Sequence, residues 1–259
     1  MNVVVLVKQV PDTNSERRLS GEHVLDRESA DAVLDEIDER AVEEALLIKE
    51  SQGGEVALVC MGPDSAADAV RKGLSMGADK AVHLCDEALR GSDAVQTAKA
   101  LAKVVGAVGA VDLVIAGNEA TDGRVGAVPA MLAEVLGWAQ LTYARKVTTD
   151  GSAISVERET DAGIVGVEAE LPAVISVTEK INEPRYPSFK GIMAAKKKPI
   201  SLLTLVDVGI DASEVGLGNA ASKVVSSAPK PPKAAGVKVT DEGDGGSAVA
   251  RFLVEEKLL

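Results

Sequence analysis

The chain alternates short runs of apolar residues with segments whose apolar positions recur at helical spacing. The runs have the length and β-branched content of buried strands, and they predict four strands, at residues 2–8, 55–61, 80–84 and 111–116. The segments between them predict three helices, at residues 38–50, 65–76 and 92–105. This alternation predicts a mostly parallel, twisted sheet with helices on both faces, a Rossmann-like α/β fold.

The ends of the predicted helices carry capping signals. Asp35 or Asp38 can cap the first helix, and Gly53 follows its last turn. Ser65 with Asp68 fits a capping box for the second helix, and Ser92 is the expected cap of the third.

The chain changes character after residue 139. Three short strands, at residues 145–149, 153–157 and 164–168, are joined by Asp-Gly and Asp-Ala-Gly turns that are typical of hairpins. They predict an antiparallel extension of the sheet, and residues 171–177 predict one more buried strand. The polar segment 12–30 favours either a small hairpin or an extended loop.

The last part of the chain predicts a linker followed by an arm. Residues 226–236 contain three prolines, and the tail ends in a short apolar-faced helix that could not bury that face alone. We therefore expect one α/β domain, residues 1–225, and a linker with a C-terminal arm, residues 226–259.

Residues 182–200 combine residues that break regular structure with large apolar and cationic side chains. Pro184, Pro187 and Gly191 interrupt regular structure. Large apolar side chains stand between the breaks and a cationic cluster follows them: Tyr186, Phe189, Ile192, Met193, Lys196, Lys197 and Lys198. The pattern indicates either a docking surface or a loop whose large side chains fold back onto the core.

A glycine-bearing turn follows the fourth predicted strand. Gly117, Gly123 and Gly126 permit tight turns and close backbone approach, and a helix starting near Arg124 would direct free N–H groups at a phosphate. The spacing is neither GxGxxG nor a P-loop, so an ordinary turn without a ligand is the alternative.

Charge and composition narrow the possible functions. A net charge of −12 argues against nonspecific nucleic-acid binding. Cys60 and Cys85 lack metal-ligand spacing and suit reduced thiols. The first apolar run is too short for a signal peptide or membrane span, so we expect a cytoplasmic protein. No nucleophile–base pair is recognisable, and His23 and His83 suit surface and structural roles.

Several motifs in order resemble the β subunits of the electron transfer flavoprotein family over nearly the whole chain. They are VLVKQVPDT, AVEEALLIKE, MGP, SMGAD, GNEATDGRVGAVPAMLAEVLGW, VERETDAG, ELPAVISV with NEPRY, GIM and AKKKP, and finally AGVKV. The resemblance implies an adenine-nucleotide-binding fold and an obligate heterodimer with an α subunit. It also implies an electron carrier, not an enzyme, that accepts electrons from acyl-CoA and other dehydrogenases and passes them to a membrane quinone reductase.

The resemblance also assigns cofactor residues. A structural AMP is expected at Leu6, Asp35, Glu36, Ile37, Asp38, Met61, Gly117, Asn118, Glu119, Ala120, Thr121, Asp122, Gly123, Arg124, Val125, Gly126, Ala127 and Val128. FAD is expected mainly on the α subunit, with Val10, Asp12 and Thr13 approaching its ring. Many relatives carry Asn, Gln and Thr at positions 126–128, so a second FAD, as in electron-bifurcating relatives, is the alternative to AMP.

In the family, the segment 182–200 is the recognition loop, whose apolar tip enters a pocket on a dehydrogenase. Phe189 falls on that tip, where the family usually has leucine. The residue matching Glu159 lies near the flavin-bearing domain, and the C-terminal arm reaches the α subunit. Two other classes share the core fold. A stand-alone stress-protein-like nucleotide-binding regulator has no use for the loop and arm, and an adenylating pyrophosphatase needs an SGGxDS-like loop that VKQVPDT does not provide.

Overall fold

The computed structural model describes residues 1–15, 18–27, 29–228, 230–233, 236, 238 and 240–258. Its strands are β1 (Asn2–Val7), β2 (Gln9–Pro11), β3 (Ala32–Leu34), β4 (Glu55–Met61), β5 (Lys80–Leu84), β6 (Leu113–Gly117), β7 (Ala139–Thr149), β8 (Ala153–Thr160), β9 (Gly163–Glu170), β10 (Ala173–Val177) and β11 (Ile200–Leu203). Its α-helices are α1 (Glu36–Gln52), α2 (Ala67–Met76), α3 (Ala94–Val108), α4 (Val128–Leu136), α5 (Phe189–Ala195) and α6 (Gly245–Glu255).

One nine-stranded sheet organises the first of two compact units, Met1–Val225. The strand order is β11-β5-β4-β1-β6-β10-β7-β8-β9. Strands from β11 to β7 pair in parallel, whereas β8 and β9 pair antiparallel. The predicted fold class, a mostly parallel sheet with an antiparallel extension, is confirmed. β7 is longer than its predicted strand because its first half pairs with β10 and only its second half enters the hairpin.

Helices cover both faces of the sheet, which explains why the central strands are apolar throughout. Val3 and Val5 of β1 pack with the α1 and α2 side, where Leu46 and Leu74 are buried. The alternate β1 residue Val4 packs with the α3 and α4 side. The largely aliphatic core thus forms two layers separated by the sheet.

The polar segment between β2 and β3 is mainly a connection. β2 and β3 pair antiparallel as a separate two-stranded sheet, and one isolated bridge joins Leu19 to Leu25. Residues 16, 17 and 28 of this predicted hairpin or loop lie outside the described residues.

Three predicted helix starts need correction. α2 follows a 3-10 turn, Asp64–Ala66, and the Ser65 hydroxyl donates to Gln9 Oε1 instead of capping the helix. Asp93, not Ser92, caps α3, with Gln96 completing a capping box. α4 begins at Val128 and not near Arg124, because Arg124 has a φ of 49° that a right-handed helix cannot contain. Asp35 does cap α1, as predicted.

The second compact unit is Ser226–Leu259. Its helix α6 exposes Val249, Phe252 and Val254. Residues 229, 234, 235, 237, 239 and 259 of the predicted linker and arm lie outside the described residues. No helix in the described part of the chain is long and apolar enough to cross a membrane.

Candidate functional site

The carboxyl ends of β4, β1 and β6 meet where the chain reverses its order in the sheet. From β1 the chain builds β4 and β5 on one side, and it then places β6 on the other side of β1. Open parallel sheets bind ligands in the crevice outside such a reversal. Leu6, Met61 and Gly117 lie at these strand ends, so the structure brings together three separate stretches of the predicted nucleotide site.

Asp35 connects two of these stretches. It is fully buried, and its Oδ2 accepts hydrogen bonds from the backbone N–H of Thr121 at 2.8 Å and from the Thr121 hydroxyl at 3.2 Å. Its Oδ1 accepts from the N–H of Ile37 at 3.3 Å and caps α1. One carboxylate therefore fixes the start of α1 to the loop that follows β6.

Gly117 lets α1 approach the end of β6. A Cβ at this position would lie 2.5 Å from Ile37 Cγ2 and 2.9 Å from Asp38 Oδ1. Asp38 itself is buried, and its Oδ2 accepts from the N–H of Lys8 at 2.8 Å. Burial, and next the nearby Asp35 carboxylate, raise the pKa of Asp38 well above its ordinary value.

Asp122 holds the middle of the loop between β6 and α4. Its side chain is fully buried, and it pairs with Lys8 Nζ at 2.7 Å and Arg27 Nη2 at 2.8 Å. Burial alone would raise the pKa of Asp122, but the two cations outweigh burial and lower it. Ionised groups therefore connect the loop to Lys8, between β1 and β2, and to Arg27, between β2 and β3.

The start of α4 presents backbone N–H groups. Its N-cap is Ala127, which has no side-chain acceptor, and Pro129 lies in the first turn. Arg124 is largely exposed and its Nη1 stands 3.7 Å from Glu119 Oε1. An uncapped helix start beside an exposed guanidinium suits an anion.

The three glycines of the loop differ. Gly126 has a φ of 65°, and a Cβ there would lie 3.0 Å from the Tyr143 hydroxyl. Gly123 has open space around its Cβ direction and no left-handed φ, so the expected need for glycine holds at Gly117 and Gly126 and is wrong at Gly123. Tyr143, with a φ of 62°, donates to Gly126 O at 3.3 Å.

Among the described residues, one buried polar atom at the crevice lacks a partner. This atom is Asn118 Oδ1, on the first residue after β6. A ligand N–H or hydroxyl is the kind of donor that would satisfy it. Together with the uncapped start of α4, this atom makes the crevice chemically compatible with a nucleotide.

The residues expected near a flavin lie beside this crevice. Val10 in β2 is buried and pairs with Val33, so its side chain belongs to the core. The N–H of Asp12 donates to Asp31 O, its Oδ1 accepts from the N–H of Asn14, and Thr13 is exposed. Of these three residues, Thr13 offers the most accessible side chain.

The second candidate region is residues 182–200, named the docking segment after its predicted role. It is not an irregular loop throughout, because Ser188 caps α5 by accepting from the N–H of Gly191 at 3.0 Å. Tyr186 is 95% exposed and Phe189 is 81% exposed. The alternative in which the large side chains fold back onto the core is therefore wrong for these aromatic residues.

Salt bridges attach the docking segment to α1. Arg185 Nε and Nη2 bind Glu43 Oε2 and Oε1 at 2.7 and 2.9 Å, and its Nη1 binds Glu50 Oε1 at 2.6 Å. Glu43 is buried, so solvent screens its attraction to Arg185 less than it screens a surface ion pair. Asn182 adds contacts with the backbone of Arg40 and with the Glu44 carboxylate.

The three lysines of the segment do not act alike. Lys196 and Lys197 are exposed. Lys198 turns inward, because its Nζ donates to Leu74 O at 3.0 Å and to Ala78 O at 2.5 Å. Burial lowers the pKa of Lys198. The interpretation of Lys198 as part of an exposed cationic cluster is therefore wrong, and its contacts attach the segment to α2.

Glu159 lies at the end of β8, and its Oε2 pairs with Lys180 Nζ at 2.8 Å and Arg145 Nη1 at 3.7 Å. The Lys180 hydrogen bond lowers the pKa of Glu159. The structure thus presents Glu159 as an ionised carboxylate on the hairpin that extends the sheet.

Sequence reasoning missed several residues that shape these regions. Lys8 and Arg27 hold Asp122, Tyr143 contacts the glycine loop, and Arg71 and Arg185 hold the docking segment. Lys8 and Arg185 lie within the motifs VLVKQVPDT and NEPRY, which gave them no role. The acidic sequence Glu43-Glu44 on α1 was a physical signal, since buried carboxylates need partners.

The fold and crevice define a doubly wound α/β protein. In the described residues, no three His, Cys, Asp or Glu side chains converge as a metal site. Residues 22–208 match the family model of the electron transfer flavoprotein domain. The chain therefore belongs to the electron transfer flavoprotein family.

Curated relatives place the chain within that family as a β subunit. It is 60% identical to the electron transfer flavoprotein subunit β of Mycobacterium tuberculosis over 264 residues, which cover 100% of this chain and 99% of the relative. The identity to the Mycobacterium leprae subunit β is 58%, with the same coverage. A subunit of the caffeyl-CoA reductase-Etf complex of Acetobacterium woodii is 35% identical, covering 99% and 97%. The chain is thus an electron carrier subunit of a flavoprotein family, not a catalytic enzyme.

We predict that Asp38 makes stability depend on pH. Its raised pKa means that the folded state holds the proton more tightly than the unfolded state, so this contribution to stability is full below about pH 4 and is lost as pH rises through the folded pKa. Asp38→Asn keeps an acceptor for the Lys8 N–H and removes the titration. Urea unfolding of both proteins from pH 4.5 to 8 should show that the wild type loses stability relative to Asp38→Asn as pH rises. Parallel curves would contradict this.

Proposed function

We propose that this chain forms a heterodimer with a flavin-bearing α subunit, accepts electrons from acyl-CoA and other dehydrogenases, and passes them to a membrane quinone reductase. The observation that carries the proposal is the docking segment, which exposes Tyr186 and Phe189 although it is fixed to α1 and α2. Exposed aromatic residues on a rigid support are typical of a binding interface. The expected location is the cytoplasm.

FAD would be held mainly by the α subunit, and it supplies the one- and two-electron chemistry when bound. The contribution of this chain is to place residues beside it. Thr13 is exposed and Asp12 is half-buried, and Glu159 offers a carboxylate on the hairpin. Family membership supports this assignment and makes a stand-alone regulator the weaker alternative.

The crevice would hold AMP as a structural ligand. The N–H groups at the start of α4 and the Arg124 guanidinium suit its phosphate, and Asn118 Oδ1 suits one of its donors. Met61 and Ile37 are half-buried and offer apolar surface at the same edge, whereas Leu6 is buried. A second FAD is the alternative occupant, because positions 126–128 offer backbone groups and small or apolar side chains where many relatives carry Asn, Gln and Thr.

We predict that coexpression with the α subunit yields a yellow heterodimer with tightly bound FAD, and that this chain alone binds FAD poorly. The reason is that the flavin site requires residues of both chains. Absorbance at flavin wavelengths, measured against protein concentration for each preparation, tests this. A lone chain with stoichiometric FAD would overturn the assignment of FAD to the α subunit.

We predict that Gly126→Ala reduces the AMP content of the heterodimer and that Gly106→Ala, a control on α3, does not. Alanine at 126 meets a left-handed φ and the Tyr143 hydroxyl, whereas position 106 has open space and no left-handed φ. Heat denaturation followed by chromatography measures the released nucleotide. Release of two FAD per heterodimer without AMP would favour the bifurcating alternative, and equal AMP in both variants would contradict the loop assignment.

We predict that Phe189→Ala slows electron acceptance from an acyl-CoA dehydrogenase by about 30-fold or more, since a central apolar contact contributes about 2 kcal/mol or more. The melting temperature should hardly change, because the side chain is 81% exposed. Single-turnover reduction of the flavin and thermal unfolding are measured on the same heterodimer.

The control is Val95→Ala, which truncates a partly exposed apolar side chain on α3. It should leave both quantities unchanged. A large fall in melting temperature with unchanged electron transfer in Phe189→Ala would remove the docking role.

A further inference from the structure

A cleft of about 590 Å³ lies between α2 and α5. Pro187, Ile192 and Ala195 supply its apolar lining from the docking segment. Arg71, Lys72 and Lys196 supply cationic groups at its edge.

The shape of this cleft is fixed by direct contacts between α2 and the docking segment. Arg71 Nη1 donates to Ala195 O at 2.6 Å and to Lys198 O at 2.8 Å, so it satisfies carbonyls at the end of α5. At the other end of α5, a Cβ on Gly191 would lie 2.5 Å from Ser75 O. Such close backbone approach allows little freedom, and the cleft is preorganised.

The cleft is lined by mostly cationic side chains, although the chain as a whole is negatively charged. Three cationic side chains and one carboxylate, Asp68, line it, whereas the whole chain has a net charge of −12. Lys72 is 43% exposed, and its Nζ forms a long ion pair with Glu39 Oε1 at 3.9 Å, beyond hydrogen-bond distance. Arg71 is already bound to backbone carbonyls, so Lys196 and Lys72, whose pairing with Glu39 includes no hydrogen bond, are the cations offered to a partner.

The cleft is continuous with the exposed patch of the docking segment. Ile192 belongs to both, since it lines the cleft and remains 45% exposed. We propose that the cleft is a second contact site of the docking surface, and that it accepts an acidic side chain, flanked by aliphatic ones, of the electron-donating dehydrogenase. Lys72 then determines the preference of the cleft for a negatively charged side chain. This proposal rests on the docking role assigned to Phe189.

The test uses the heterodimer and a substrate-reduced acyl-CoA dehydrogenase. Lys72→Glu should lower the second-order rate of flavin reduction roughly fivefold or more at low ionic strength, and much less at high ionic strength, because charge complementarity acts mainly on association. Lys99→Glu is the matched control. It makes the same change in net charge at an exposed position of α3, across the sheet from α2, and should change the rate less than twofold.

Lys72→Gln guards against a folding defect, since Lys72→Glu adds an acid near Glu39 and Asp68. It should show a smaller slowing in the same direction, with an unchanged melting temperature. Equal rates for Lys72→Glu, Lys72→Gln and Lys99→Glu would overturn the cleft proposal. Phe189→Ala, measured in parallel, separates the two ideas: if it slows transfer while the Lys72 variants do not, the docking segment stands and the cleft fails, and if it has no effect, the docking role itself fails.

Discussion

The crevice depends on the hydrogen bonds that the buried carboxylate of Asp35 accepts. A buried charge is costly unless every oxygen finds a donor, and Asp35 finds its donors on two different segments, at Ile37 and at Thr121. The same side chain thus caps α1 and shapes the loop before α4. Gly117 makes this possible, because a larger residue would separate α1 from the end of β6.

The acidic helix α1 links the two candidate functional regions of the first compact unit. Its start closes the crevice through Asp35 and Asp38, and its middle holds the docking segment through Glu43 and Arg185. α2 also holds the docking segment, through hydrogen bonds of Arg71 and of the Leu74 carbonyl. Both regions are therefore positioned by the helices that cover one face of the sheet.

Much of the fold followed from local pattern. The strands at 2–8, 55–61 and 80–84 and the cap at Asp35 were predictable because alternation and capping chemistry are local properties. The start of α4 was not predictable, since the left-handed φ of Arg124 arises within a loop held by the distant residues Lys8, Arg27 and Asp35. The inward orientation of Lys198 could not be predicted either, because tertiary packing brings its partners, the carbonyls of Leu74 and Ala78, next to it.

Candidate site residues divided in the same way. The glycine loop and the aromatic residues at 186 and 189 were visible in the sequence, and the exposure of these aromatics agrees with that interpretation. The ion pair of Arg185 with Glu43 was not visible, because the two residues are 142 positions apart and no local sequence pattern predicts such a pair.

That separation has a consequence for the order of folding. Contacts between distant parts of a chain form only after the intervening structure has closed the loop between them. Between Glu43 and Arg185 lie strands β4 through β10, so the aromatic tip gains its fixed orientation only once the sheet is assembled. A partly folded chain therefore does not hold the tip in one orientation, and the recognition that we propose would be coupled to completed folding.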